Sequence, residues 1–180
     1  MGAFNASLGG DLGQLEPPAH WDPQINQHGA DYVNLSSASK EFQTLVALFN
    51  KSQRTPLNVL KITRVQNLSL YQSYAVKKMA MAKYMEAGQD LEVAYLFHGT
   101  HEDTVDKIAQ QGFNRSFAGL NMVRYGRGVY FAINSSYSSH PQYAKPDSRG
   151  VQRMFMCRIL VGHYCVGWVC CFDLDGLLML

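Results

Sequence analysis

Leu96-Phe97-His98-Gly99-Thr100 and, further along, Tyr125-Gly126-Arg127-Gly128-Val129-Tyr130-Phe131-Ala132 decide how the chain is read. Each is a short apolar run interrupted by glycine, the kind of segment that forms a strand rather than a long helix. A strand ending in His98-Gly99-Thr100 presents an imidazole, a peptide that a ligand can approach closely, and a hydroxyl. The alternation from Gly128 to Ala132 predicts a second strand whose Tyr130 faces the same ligand. Between the two, Glu102 to Gln111 reads as a helix around Val105, Ile108 and Ala109, stopped by Gly112, and Phe113 to Arg124 as a loop.

Working upstream, Phe42, Leu45, Val46 and Phe49 recur at helical spacing, with Ser39 placed to cap the helix through its hydroxyl. Leu57 to Gln66 is rich in apolar and β-branched residues and predicts a strand. Leu70, Tyr71, Tyr74, Met81 and Met85 predict a longer helix ending before Gly88, its rings and methionines serving the core. Trp21 to Tyr32 reads as an irregular lead-in, and residues 1–18, rich in glycine, as a mobile leader. Downstream, Val151 to Val161 is a strand with Phe155, Cys157, Ile159 and Val161 on one face and Met154, Met156 and Leu160 on the other. Apolar on both sides, it is expected inside a sheet. Gly126-x-Gly128 is no dinucleotide fingerprint, because a third glycine and a following helix are missing.

Composition narrows the class. The chain has 180 residues, 47% hydrophobic and 17% charged, which suits one domain with a packed core. A net charge of +2 is too mild for a nucleic-acid surface. No apolar run approaches the roughly 18 residues of a membrane span, and the start lacks the basic and apolar parts of a signal peptide. Ala6 stands where a myristoylation pattern needs Ser or Thr. Cys157, Cys165, Cys170 and Cys171 lack paired zinc spacing even with His163 nearby, so no metal is expected. Reduced thiols of an intracellular protein, in cytoplasm or nucleus, are the expected state.

Taken in order, four motifs resemble the catalytic domain of the poly(ADP-ribose) polymerase (PARP) family. They are His98-Gly99-Thr100, Gly112-Phe113-Asn114-Arg115-Ser116, Tyr125-Gly126-x-Gly128-x-Tyr130-Phe131-Ala132 and Lys145-Pro146-Asp147. The likeness runs from about Trp21 to Tyr164 and is strongest to the macrodomain-containing mono-ADP-ribosyltransferases. It implies an α+β fold of mixed or antiparallel sheets with flanking helices. It also implies NAD as a substrate, with ADP-ribose passing to protein acceptors through an oxocarbenium-like state as nicotinamide leaves. On the family pattern, His98 and Tyr130 hold the catalytic positions, with His98 on the adenosine ribose and Thr100 a second contact to that sugar. Gly99 pairs its peptide with the carboxamide, Ser138 bonds the same group, Tyr143 stacks on the ring, Tyr137 flanks the pocket and Arg115 reaches the adenosine side. Plainer alternatives stand beside these roles: His98 as a hydrogen-bonded core residue, Tyr130 as strand packing, and Tyr137 with Tyr143 as one helix face.

The likeness fades after Gly162-His163-Tyr164. The third position of the family's catalytic triad has no counterpart, and residues 165–180 form an apolar tail unlike the family. The expected organisation is a leader over 1–18, an incomplete transferase domain over 19–164 and a divergent tail over 165–180. The last strands of the fold are expected to be missing, which would leave sheet edges open. Three functional readings follow: a mono-ADP-ribosyltransferase; a catalytically impaired NAD-binding or protein-interaction module; and a chain that does not fold alone. Oligomeric state is left open.

Overall fold

A computed structural model of the protein describes residues 15–26, 28–85, 91–114 and 128–161, and the backbone of 177–179. Two antiparallel sheets form the frame. In the first, β1 (Asp31–Asn34) pairs with β2 (Thr63–Gln66), from Asp31↔Gln66 to Asn34↔Thr63. The second has four strands in the order β5-β3-β4-β6: β3 is Glu92–Thr100, β4 Tyr130–Ala132, β5 Arg153–Leu160 and β6 Leu177–Met179. Helices α1 (Lys40–Asn50), α2 (Leu68–Ala82), α3 (Glu102–Gln111) and the single turn α4 (Ser135–Ser138) complete an α+β architecture.

The helix ends follow from local chemistry. Ser39 Oγ accepts from Phe42 N at 3.1 Å, satisfying one of the amides that the first turn of α1 leaves without a partner. Asn67, for which no capping role was expected, starts α2 by accepting from Leu70 N at 3.1 Å. Its amide also donates to Ala109 O and Gln110 O at 3.1 and 3.2 Å, so one buried side chain joins the start of α2 to the end of α3. Gly112 closes α3 at φ 74, where a side chain would be strained.

Several expectations change. The strand expected over Leu57 to Gln66 is regular only from Thr63, because β1 offers just four residues to pair with. The lead-in Trp21 to Tyr32, expected to be irregular, ends by entering β1 at Asp31. Asp22 there is held by Gln66, whose fully buried amide accepts from Asp22 N and donates to Asp22 O. The strand expected over Val151 to Val161, inside a sheet, forms as Arg153–Leu160; among the described residues it pairs with β3 alone and stands at the sheet's end. Only Ile159 of β5 is fully buried, and its remaining apolar side chains are half-covered, which an end position permits. The open edge expected along β4 is covered by β6, drawn from the tail: Tyr130↔Met179, Phe131↔Leu178 and Ala132↔Leu177.

The core sits where β3, β4 and β5 meet, as a cluster of Leu96, Phe131, Ile159 and Val161 with Val93, Phe113, Val129 and Cys157 against it. Within β3 the register to β5 slips, from Val93↔Ile159 to Leu96↔Cys157, so β3 carries one extra residue. Tyr95 sits in that bulge at φ 64, in the left-handed region that non-glycine residues avoid. The extra residue reverses the alternation for everything after it. That reversal sets which faces His98 and Gly99 take.

Candidate active site

From Leu96 to Thr100 β3 is accompanied on one edge by β5, ending at Thr100↔Arg153. On the other edge β4 pairs with it at Phe97↔Ala132 alone. Past that step, among the described residues, His98 to Thr100 have no strand on the β4 side. This edge is where the expected site residues gather.

His98 Nδ1 lies 2.9 Å from Tyr130 O. A carbonyl only accepts, so Nδ1 carries the proton and, in the neutral ring, Nε2 is left as an acceptor. The ring packs edge-on against Phe113, with centroids 5.0 Å apart, and tilts against Phe131 at 5.5 Å. Burial among these rings pushes its pKa below the ordinary 6.5, and the bond to Tyr130 O opposes that in part. A base with a depressed folded pKa contributes stability that is complete above its unfolded pKa and is lost as pH falls through the folded one. Melting temperature is therefore expected to fall as pH drops below about 6.5, and His98→Gln should flatten that part of the profile. Equal slopes in the two proteins would show that His98 is not buried in this way.

Phe97 and Ala132 face each other across the sheet, so side-chain alternation puts Tyr130 on their face, while His98 shares the face of Phe131. His98 and Tyr130 are thus neighbours through a side-chain to backbone bond, on opposite faces of the sheet. A ligand touching both must cross the edge between β3 and β4.

Gly99 lies on the Tyr130 face. A Cβ there would collide with Ser138 O and come within 2.9 Å of Ala144 N and 3.1 Å of Tyr143 C. Glycine at this position therefore has a reason within the fold, besides the ligand approach read from the sequence. Ser138 is buried and its hydroxyl donates to Phe97 O at 2.9 Å, which leaves Oγ as an acceptor. Tyr143 stacks on Tyr137, with centroids 4.9 Å apart, planes 20° apart and hydroxyls 2.7 Å apart, leaving no room for a third ring between them. Thr100 is buried, and its hydroxyl donates to Thr104, whose own proton goes to His101 O. Arg115 and Tyr125 to Arg127 lie outside the described residues. A hollow of about 440 Å³ adjoins Tyr143, lined also by His101, Pro141, Gln142 and Lys145.

Two groups that hold this arrangement were missed. Ser135, fully buried, accepts from Gln53 Nε2 at 3.1 Å, donates to Phe49 O and shares a 2.8 Å bond with Ser52, so the end of α1 seats α4. Asp147, noticed only as part of a motif, is a buried carboxylate accepting from Arg149 N, Val151 N and Arg153. The backbone amides of Val151 and Arg149 and the Arg153 guanidinium hold its pKa well below the carboxylate range.

The sequence profile of the poly(ADP-ribose) polymerase catalytic domain matches residues 39–167, which takes in every one of these positions. The chain belongs to that family. It is 37% identical over 154 residues to human protein mono-ADP-ribosyltransferase PARP14, covering 86% of this chain and 8% of the relative. It is 38% identical over 151 residues to mouse protein mono-ADP-ribosyltransferase PARP12, covering 83% of this chain and 20% of the relative. With mouse protein mono-ADP-ribosyltransferase PARP10 the identity is 36% over 134 residues, 72% of this chain and 14% of the relative. The PARP domain here thus spans a fifth or less of the length of these relatives. Membership in the family was legible in the motif order, and the antiparallel α+β frame agrees with it.

Proposed function

We propose that this PARP domain is an NAD-dependent protein mono-ADP-ribosyltransferase acting inside the cell. The nicotinamide–ribose bond of NAD breaks, nicotinamide leaves with the bonding electrons, and a protein side chain bonds the ribose carbon and loses its proton to solvent. The names of the relatives support the reaction and the class of acceptor. The observation that carries the reading is the gathering of Gly99, Ser138 and Tyr143 at the stretch of β3 that β4 has left.

These residues suit the dinucleotide's chemistry. A carboxamide needs one donor and one acceptor in a line, which the Gly99 peptide supplies at an unpaired strand edge. Ser138 Oγ, its proton already given to Phe97, accepts from an amide N–H. Tyr143 offers the ring face that Tyr137 does not cover, and the Tyr137–Tyr143 pair makes a stiff wall for the nicotinamide. Across the edge, the unprotonated nitrogen of His98 accepts from a ribose hydroxyl. Tyr130, beside Gly99, orients the ring end. Together these contacts fix the base and sugar relative to each other, and the rate gain comes from that positioning.

The test is to incubate the purified chain with NAD labelled either in nicotinamide or in the adenylate. Release of free nicotinamide together with adenylate label on protein supports the transferase. NAD-induced thermal stabilisation without release would replace it with a non-catalytic NAD-binding module.

A further inference from the structure

We propose that Gln152, braced by Asp147, is a positioning residue for the nicotinamide end of the site; this rests on the NAD reading above. The turn over residues 139–144 carries Tyr143 away from α4 and back against β3. Both ends of that turn are pinned by one side chain: Gln152 Nε2 donates to Ser139 O at 2.8 Å and to Ala144 O at 2.7 Å. Ala144 is fully buried, and its amide is one of the atoms packed against Gly99. The two bonds therefore hold the backbone that carries Tyr143 against the Gly99 peptide, while stacking on Tyr137 sets the ring; the Gly99 peptide and that ring are the two groups that would hold nicotinamide.

Gln152 is not part of α4. It is delivered by the loop before β5, and Asp147 sets that loop. The Asp147 side chain, 2% exposed, accepts from Arg149 N at 2.8 Å, Val151 N at 2.9 Å and Arg153 Nη2 at 3.0 Å. Arg153 also reaches Glu102 at 3.0 Å, at the start of α3, and pairs with Thr100 in the sheet. Loop, strand end and helix start are thus tied at one guanidinium, and Gln152 projects from that tie. The Gln152 residue itself is exposed, so its loss removes two hydrogen bonds without opening the core.

The experiment compares nicotinamide and ADP-ribose, the latter lacking the nicotinamide ring, by calorimetric titration of the whole chain and of Gln152→Leu. Two lost hydrogen bonds predict nicotinamide affinity weakened about tenfold, with ADP-ribose affinity within about twofold of the parent. Asp147→Asn, which keeps the shape and removes the charge, should show the same selectivity with a larger fall in melting temperature. Unchanged nicotinamide binding in Gln152→Leu, or a parallel loss of both ligands, overturns the positioning role. A parent chain that binds neither ligand removes the NAD reading itself, and this role with it.

Discussion

Gly99→Ala is expected to destabilise the fold and to abolish most nicotinamide binding, although it adds a single methyl group. The new Cβ meets backbone on three sides: Ser138 O, Ala144 N and Tyr143 C. None of these is the tip of a flexible side chain that can swing away. Overpacking of this kind costs about 1–3 kcal/mol. For a chain of this size that corresponds to roughly 2–10 °C in melting temperature. The atoms that must retreat are the ones that present Ser138 and Tyr143, so the pocket moves as a body. A displacement near 1 Å in such a site costs on the order of a hundredfold in rate. Bulkier Gly99→Trp would do all this too, but a misfolded protein would give the same reading, and so the alanine variant is the more informative one. The readout is melting temperature beside nicotinamide release. A variant with parent stability and parent release would mean that α4 does not pack on β3 at this residue.

How far the sequence reached can be judged from the same neighbourhood. The length of α3 and the Ser39 cap were legible because each depends on neighbours in the chain: an apolar stripe, a hydroxyl, a closing glycine. The strand carrying His98 was legible for the same reason. The faces were not. One extra residue at Tyr95 inverts the alternation of β3 relative to β5, and nothing local in Glu92-Val93-Ala94-Tyr95 marks a bulge, since the left-handed residue is a tyrosine and not a glycine. The braces were equally hidden. Asn67, Ser135, Asp147 and Gln152 act on groups far along the chain, or across a loop whose path only the fold decides. Family likeness supplied the positions proposed to meet the dinucleotide. It did not supply what holds them.

Phe131→Ala is expected to be the most damaging core substitution near the site, because its ring serves stability and the site at once. Phe131 is 2% exposed and belongs to the central cluster with Leu96, Ile159 and Val161. It also touches Phe113, with centroids 4.8 Å apart, and His98 at 5.5 Å. Truncating a buried phenylalanine costs about 3–5 kcal/mol through lost contacts and the cavity left behind. That is a large share of the roughly 5–15 kcal/mol that keeps a domain folded, so the melting temperature should fall by about 10 °C or more. The imidazole has two restraints, the bond to Tyr130 O and the wall of rings, and this variant removes part of the second. ADP-ribose affinity should therefore fall along with stability. Ile159→Val probes the same cluster at a residue making no ring contact with His98, and is expected to cost about 0.5–1.5 kcal/mol with ADP-ribose binding intact. If the two variants lowered ADP-ribose affinity equally, general loosening of the core would account for the loss, and Phe131 would have no particular part in seating His98.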